Sequence, residues 1–398
     1  MLPALYPQSP AACRAGDRAK VNFCKHIIPA GALILVWLPL AGWLGGCSPP
    51  DRRPAPPVSQ SFRAMGTTVT VSVNPRRSGD LPGLVRLTKQ TVSDIERRIS
   101  VFLPTSEISA LNHAAGITRI PLSARTYHLL VLARKYARMT GGAFDITVAP
   151  AAELWGLHGK APLAPPAPDV SKASLSGAGW ENVELTNQAA FLRTPYTRVD
   201  LCGIGIGYAV DLAVVAAREE GYRSFLIRIG NHARGLGWPR DHQTWRVTIP
   251  DPFLHHLNLA EIDIPSQAAV AWSVRGLRAP RIGGRIAGPV LDPRTGLPVG
   301  SPALCVVWAD TATRADALST AFTVLGPAGT SSLLNRFEDC SVLMVEDCPP
   351  PRFWATEAVC ELIRWRSRRP AEVIPLRPHS GKLSARAAGL QPFPPARD

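Results

Sequence analysis

The sequence contains eight cysteines but no Cys-x-x-Cys pair, so neither a zinc framework nor a dithiol redox motif is indicated. It also lacks an internal repeat, which argues against solenoids and propellers. A basic face is missing from its middle. Of the formal net charge of +14, residues 1–46 carry +3 and residues 364–398 carry +6, leaving +5 for everything between. The basic excess is terminal, so charge gives no reason to expect a nucleic-acid partner. Long apolar runs are scarce too; the one that stands out is residues 27–46.

That run follows Arg14, Arg18, Lys20 and Lys25 and ends in Leu44-Gly45-Gly46-Cys47. The pattern is that of an export signal closing in a bacterial lipobox, with Cys47 as the acylated residue. The alternative is a retained membrane helix, against which stand its two prolines, its glycines and the small residues before Cys47. The expected organisation is a signal over residues 1–46, a Pro-rich tether over 47–60, a domain over 61–363, and a basic, disordered tail over 364–398. The expected location is the periplasmic side of the bacterial cell envelope, lipid-anchored through Cys47. Cys13 and Cys24 leave with the signal. Cys202, Cys305, Cys340, Cys348 and Cys360 remain, an odd number that permits a disulfide but implies no framework.

Within the domain, Phe62–Val73 alternates and is β-branched, predicting a strand entered from a Met65-Gly66 turn. Residues 84–99, 105–112 and 127–139 are helical by pattern. Residues 183–192, 198–201, 225–230 and 245–250 read as strands. Asp200-Leu-Cys-Gly-Ile-Gly-Ile-Gly-Tyr-Ala-Val-Asp211 is a Gly-rich turn entering a helix that runs to about Glu220. Such a turn can present backbone N–H groups to a phosphate, or simply pack a helix closely on a sheet.

The stretch from Val290 to Gly326 joins an Asp292-Pro-Arg-Thr-Gly296 turn to a short apolar segment. It continues into a helix with Thr313 as N-cap and Gly326 as its stop. Asp316 and Thr320 lie four apart and share one helical face, where both can offer oxygen to a hard cation. Thr313-x-x-Asp316 equally resembles a capping box, with Thr320 bonding a carbonyl one turn back. The spacing leaves both readings open.

Several segments resemble, in order, the FAD:protein FMN transferase family, the ApbE-like lipoproteins. They are Met65-Gly-Thr-Thr68, Ser106-Glu-Ile-Ser109 with Asn112, and Thr140-Gly-Gly-Ala-Phe-Asp-Ile-Thr147 with Leu154-Trp-Gly156. Asp200–Asp211, Trp245-Arg-Val247 with Asp251-Pro252, Asp292–Gly296 and Ala315-Asp-Ala-Leu-Ser-Thr320 complete the series. The resemblance implies a single α+β domain, a mostly antiparallel sheet with flanking helices. It implies Mg²⁺-dependent transfer of the FMN half of FAD to a Thr or Ser of a membrane-associated acceptor protein, with release of AMP. It further implies Asp316, Thr320 and a backbone carbonyl near Gly205 as metal ligands. Met65, Phe144, Asp145, Asp200, Gly203 and Asp292 would hold the nucleotide.

The sequence departs from the family pattern in four places. Ile206 replaces the lysine of Gly-Ile-Ala-Lys-Gly. Gly230-Asn-His-Ala-Arg234 lacks the second glycine of Gly-Gly-Asp/Asn-x-Arg. Trp272-Ser-Val-Arg-Gly276 replaces Thr-Ser-Gly-Asp-Tyr. Pro289 replaces the histidine usually given a catalytic role. His232 is the candidate substitute for that histidine. Two alternatives follow: a flavin-nucleotide binder that has lost catalysis, and an FAD pyrophosphatase in which water is the acceptor.

Overall fold

Val58–Ala64 (β1) and Thr67–Val73 (β2) pair antiparallel across a two-residue turn. Met65 (φ 49°) and Gly66 (φ 69°) in that turn both adopt left-handed backbone, the geometry that matches the twist of a tight hairpin. Met65 is held in this unfavourable region by its N–H, which donates to Glu96 Oε1 at 2.9 Å. The computed structural model describes residues 56–378 apart from 75–79, 160–161, 163, 240–243, 255, 276–280, 283–284, 287, 368–369 and 371. The export signal, Cys47 and most of the expected tether lie outside the described residues, as does 379–398 of the tail. No helix among the described residues is long and apolar enough to cross a membrane.

The main sheet continues through Phe225–Ile229 (β3), His232–Leu236 (β4), Ala269–Val274 (β5), Leu304–Ala309 (β6), Ser341–Glu346 (β7), Arg352–Ala355 (β8) and Val373–Pro375 (β9). These nine strands lie side by side in chain order. Every pairing is antiparallel except that of β8 with β9. All six residues of β6 are buried. Cys305, Val307 and Ala309 belong to one core, while Leu304, Val306 and Trp308 belong to another. A strand covered on both faces needs no polar side, which is why this segment reads as a continuous apolar run.

Helices Leu81–Ile99 (α1), Glu107–His113 (α2), Ala124–Met139 (α3), Gly205–Glu219 (α4) and Ala312–Leu333 (α5) contribute to the first core. A three-stranded sheet of Trp245–Pro250, Asn258–Ile264 and Ile363–Trp365 contributes to the second. The fold is α+β, a mostly antiparallel sheet with flanking helices.

Several sequence expectations need correction. β1 starts at Val58, inside the expected tether, because it pairs along the whole of β2. The expected disordered tail contributes two strands. Trp365 packs edge-on against Phe353 at 5.5 Å, and Arg364 and Arg366 pair with Asp263 and Glu261. Arg364 and Arg366 are therefore partners of the neighbouring strand rather than a mark of disorder. Residues 198–201 form no strand. Asn112 takes the place of a strand neighbour, donating to the Val199 carbonyl and accepting from its N–H. The N-cap of α5 is Thr311 rather than Thr313. At Gly326 (φ 64°, ψ −176°) the helical geometry does break, and it resumes from Pro327. The five cysteines within the described residues are all free.

Candidate active site

The N-termini of α4 and α5 meet and cap each other. Asp211 of α4 accepts from the N–H groups of Ala312 (2.9 Å) and Thr313 (2.8 Å) and from the Thr313 hydroxyl (2.5 Å). Arg234 Nη1 pairs with the same carboxylate at 2.6 Å. In return, Asp316 Oδ2 accepts from the Gly207 N–H of α4 at 2.9 Å. Each carboxylate satisfies an orphan amide in the first turn of the other helix, where the helix dipole favours negative charge. Asp316 is thus a cap, but of the neighbouring helix rather than its own. Gly207 is required by this approach, since a Cβ there would lie 2.3 Å from the Ala312 carbonyl oxygen.

The other Asp316 oxygen, Oδ1, lies 2.9 Å from His232 Nε2. His232 follows the Gly230-Asn231 hairpin and is 8% exposed; its Nδ1 donates to the Ile229 carbonyl at 3.2 Å. Burial by itself would lower the His232 pKa, but the Asp316 charge and hydrogen bond, with the Ile229 carbonyl, raise it above its ordinary value. The sign of the linkage follows. Stability contributed by charged His232 is complete below the unfolded-state pKa of about 6.5 and is lost as pH rises through the higher folded value. Thermal melts from about pH 5 to about pH 9 should therefore show the advantage of wild type over His232→Asn shrinking as pH rises. An advantage that grew with pH would mean that His232 is buried neutral.

These groups line a cavity of about 300 Å³. Asp316, Thr320 and His232 lie on its wall with Phe144, Asp145, Asp200, Gly203 and Pro289. Gly203 leaves space that a side chain would take: a Cβ would sit 3.3 Å from both Thr320 Oγ1 and the Phe144 ring. Asp145 Oδ1 accepts from the N–H and hydroxyl of Thr147 at 2.9 and 2.7 Å. Burial nonetheless raises its pKa. Asp200 is paired with His158 Nε2 at 2.7 Å. Burial would raise the Asp200 pKa, but His158 and the Cys202 amide hold it below the ordinary value. A second cavity of about 310 Å³ is lined mainly by apolar groups, among them Met65, Ile99, Leu201 and Ile206. Phe102 and Cys202 line both cavities, so the two adjoin.

A sequence profile of the ApbE family matches residues 65–344. The chain belongs to the ApbE family. An FAD:protein FMN transferase of Salmonella typhimurium is 28% identical over 341 residues, covering 82% of this chain and 93% of the relative. One from Vibrio cholerae is 27% identical over 286 residues, covering 71% and 84%. The solved flavin transferase ApbE from Vibrio cholerae matches with a TM-score of 0.69 at 24% identity, over 78% of this chain and 100% of that one. The ApbE protein from Thermotoga maritima matches at 0.69 and 25% identity, over 77% and 99%.

In this ApbE-family chain the expected site residues are distributed unevenly. Phe144, Asp145, Asp200, Gly203, His232, Asp316 and Thr320 share the first cavity. Met65 and Gly205 line the second instead, so Gly205 is not grouped with Asp316 and Thr320. Asp292 lines neither, because its carboxylate accepts from the Arg294 N–H and side chain and closes its own turn. His232 is a poor proton acceptor, since both ring nitrogens are engaged. Sequence reasoning missed His158, 42 residues from Asp200, although it lies two residues beyond the Leu154-Trp-Gly156 motif.

Proposed function

We propose that this protein binds FAD across the two adjoining cavities and transfers its FMN moiety to a Thr or Ser hydroxyl of a membrane-associated acceptor protein, with AMP as the leaving group. The observation that carries this reading is the pairing of a carboxylate- and hydroxyl-lined cavity with an apolar one across Phe102 and Cys202. A dinucleotide has a charged bridge and flat ring systems, and needs both environments. The names of the relatives, FAD:protein FMN transferases, support the same chemistry.

Asp316 and Thr320 fit a hard cation. The Thr320 hydroxyl makes no hydrogen bond among the described residues, and each Asp316 oxygen keeps a lone pair beyond its one polar contact. They would hold Mg²⁺, which when bound supplies positive charge against the pyrophosphate as AMP departs. The chain's own contribution is positional. Gly203 keeps the wall beside Thr320 open, Phe144 offers a ring face, and the α4–α5 exchange fixes the Asp316 carboxylate. On this reading the protein acts at the periplasmic side of the envelope, anchored through Cys47.

A binder without turnover is the second reading. It is favoured by Ile206 and Pro289, which stand where the family resemblance expects lysine and histidine, and by the engagement of both His232 nitrogens. Incubating the protein with FAD and Mg²⁺, with and without a threonine-containing peptide, and following AMP separates the readings. AMP release that depends on the peptide, with flavin becoming covalently attached, is expected. Release without attachment indicates a pyrophosphatase. FAD binding without AMP release indicates the binder, and failure to bind FAD defeats all three.

A further inference from the structure

We propose that His158, oriented by Asp200, is the proton acceptor of the transfer reaction and fills the role for which Pro289 offers no proton-accepting group. The proposal rests on the transferase reading above. The imidazole Nε2–H donates to Asp200 Oδ2 at 2.7 Å. Asp200 is itself fixed: its Oδ1 accepts from the Cys202 N–H at 2.8 Å, and its own N–H donates to the Ile146 carbonyl at 2.8 Å. The Phe102 ring stands edge-on to the imidazole, at 5.6 Å and 86°. A carboxylate bonded to one ring nitrogen selects the tautomer that leaves a lone pair on the other. That other nitrogen, Nδ1, has as its nearest carboxylate Glu153 Oε1 at 4.0 Å, beyond hydrogen-bond reach.

His158 lines the same cavity as Gly203, Thr320, Asp316 and Pro289, the cavity to which the transferase reading assigns the reacting phosphate. His232 shares that cavity but offers no free lone pair, since Ile229 and Asp316 take both of its nitrogens. Among the described lining residues, His158 is the imidazole with a nitrogen to spare.

The step balances. Nδ1 takes the proton of the acceptor hydroxyl as its oxygen forms a bond to the FMN-side phosphorus. The bond from that phosphorus to the bridging oxygen breaks, and AMP leaves with the oxygen and the electron pair. The imidazolium then returns its proton to water. Asp200 stays ionised throughout and stabilises the cation.

The test measures AMP release from FAD in the presence of Mg²⁺ and a threonine-containing peptide, alongside FAD affinity by flavin fluorescence. His158→Asn should lose about 10²–10⁴-fold in rate, with FAD affinity unchanged within about twofold. Added imidazole should restore part of the loss. The wild-type rate should rise with pH as His158 loses its proton, and that limb should vanish in the variant. Asp200→Asn should show a smaller loss that imidazole does not repair. A His158→Asn rate close to wild type overturns the proposal and leaves the transferase reading intact. So does a loss that merely follows lost FAD affinity. Wild type that binds FAD but releases no AMP overturns the transferase reading and this proposal together.

Discussion

Gly207→Ala is expected to destabilise the protein by about 3 kcal/mol or more, the upper end of overpacking costs. The added Cβ would meet the Ala312 carbonyl oxygen at 2.3 Å and its carbon at 2.6 Å. Both are backbone atoms at the start of a buried helix, so no side chain can rotate away. Asp316 Cβ, at 2.8 Å, blocks the remaining direction. Differential scanning calorimetry should show a fall in Tm of roughly 4–5 °C or more. Gly300→Ala is the control, because a Cβ there meets nothing within 4 Å. Equal effects of the two substitutions would show that the α4–α5 approach is looser than described.

Asp316→Ala should cost about 3–5 kcal/mol, the range for removing one partner of a buried ion pair. It strips the Gly207 N–H of its acceptor and leaves the His232 imidazole buried without its carboxylate. Asp316→Asn keeps an oxygen for Gly207 and removes only the charge, so the loss of stability should be clearly smaller. Its effect on ligand binding should be as large, because a neutral amide is a weak ligand for Mg²⁺. Chemical denaturation and FAD titrations with and without Mg²⁺ separate the two roles. If Asp316→Asn retained the full response to Mg²⁺, Asp316 would be only a helix cap. If Asp316→Ala were as stable as wild type, the capping role would fall instead.

What the sequence made legible was local. The Met65-Gly66 turn, the helix ends at Met139 and about Glu220 and the break at Gly326 were each readable from the residues at those positions. The segment that forms β6 was visible only as a short apolar run, because both its faces are covered and no alternation marks it as a strand. Several residues named by the family resemblance line the first cavity together, and each of them lies in a short motif. Partnerships across long stretches of chain could not be read. Asp211 gives no hint in its own segment that it caps a helix 101 residues away. Asp316 looked like a cap for its own helix because the local pattern fits one, yet the Gly207 amide 109 residues earlier claims it. His158 was overlooked for the same reason, since nothing beside it in sequence announces Asp200. Arg364 and Arg366 misled in the opposite direction, for composition suggested disorder where opposing acids on the next strand provide order.

The mutual capping of α4 and α5 also bears on how the binding site comes into being during folding. Its hydrogen bonds close loops of 101 to 109 residues, and such loop closures are intrinsically slow and come late. The Gly-rich turn alone holds neither Asp316 nor Thr320, and in a chain truncated before residue 312 the Gly207 N–H loses its acceptor and the Asp211 carboxylate loses three of its donors. The part of the first cavity wall that carries Asp316 and Thr320 is added only when α5 docks. Until that helix docks, Gly203 has no Thr320 beside it, so a partly folded molecule lacks two of the groups through which it is proposed to hold FAD and its metal.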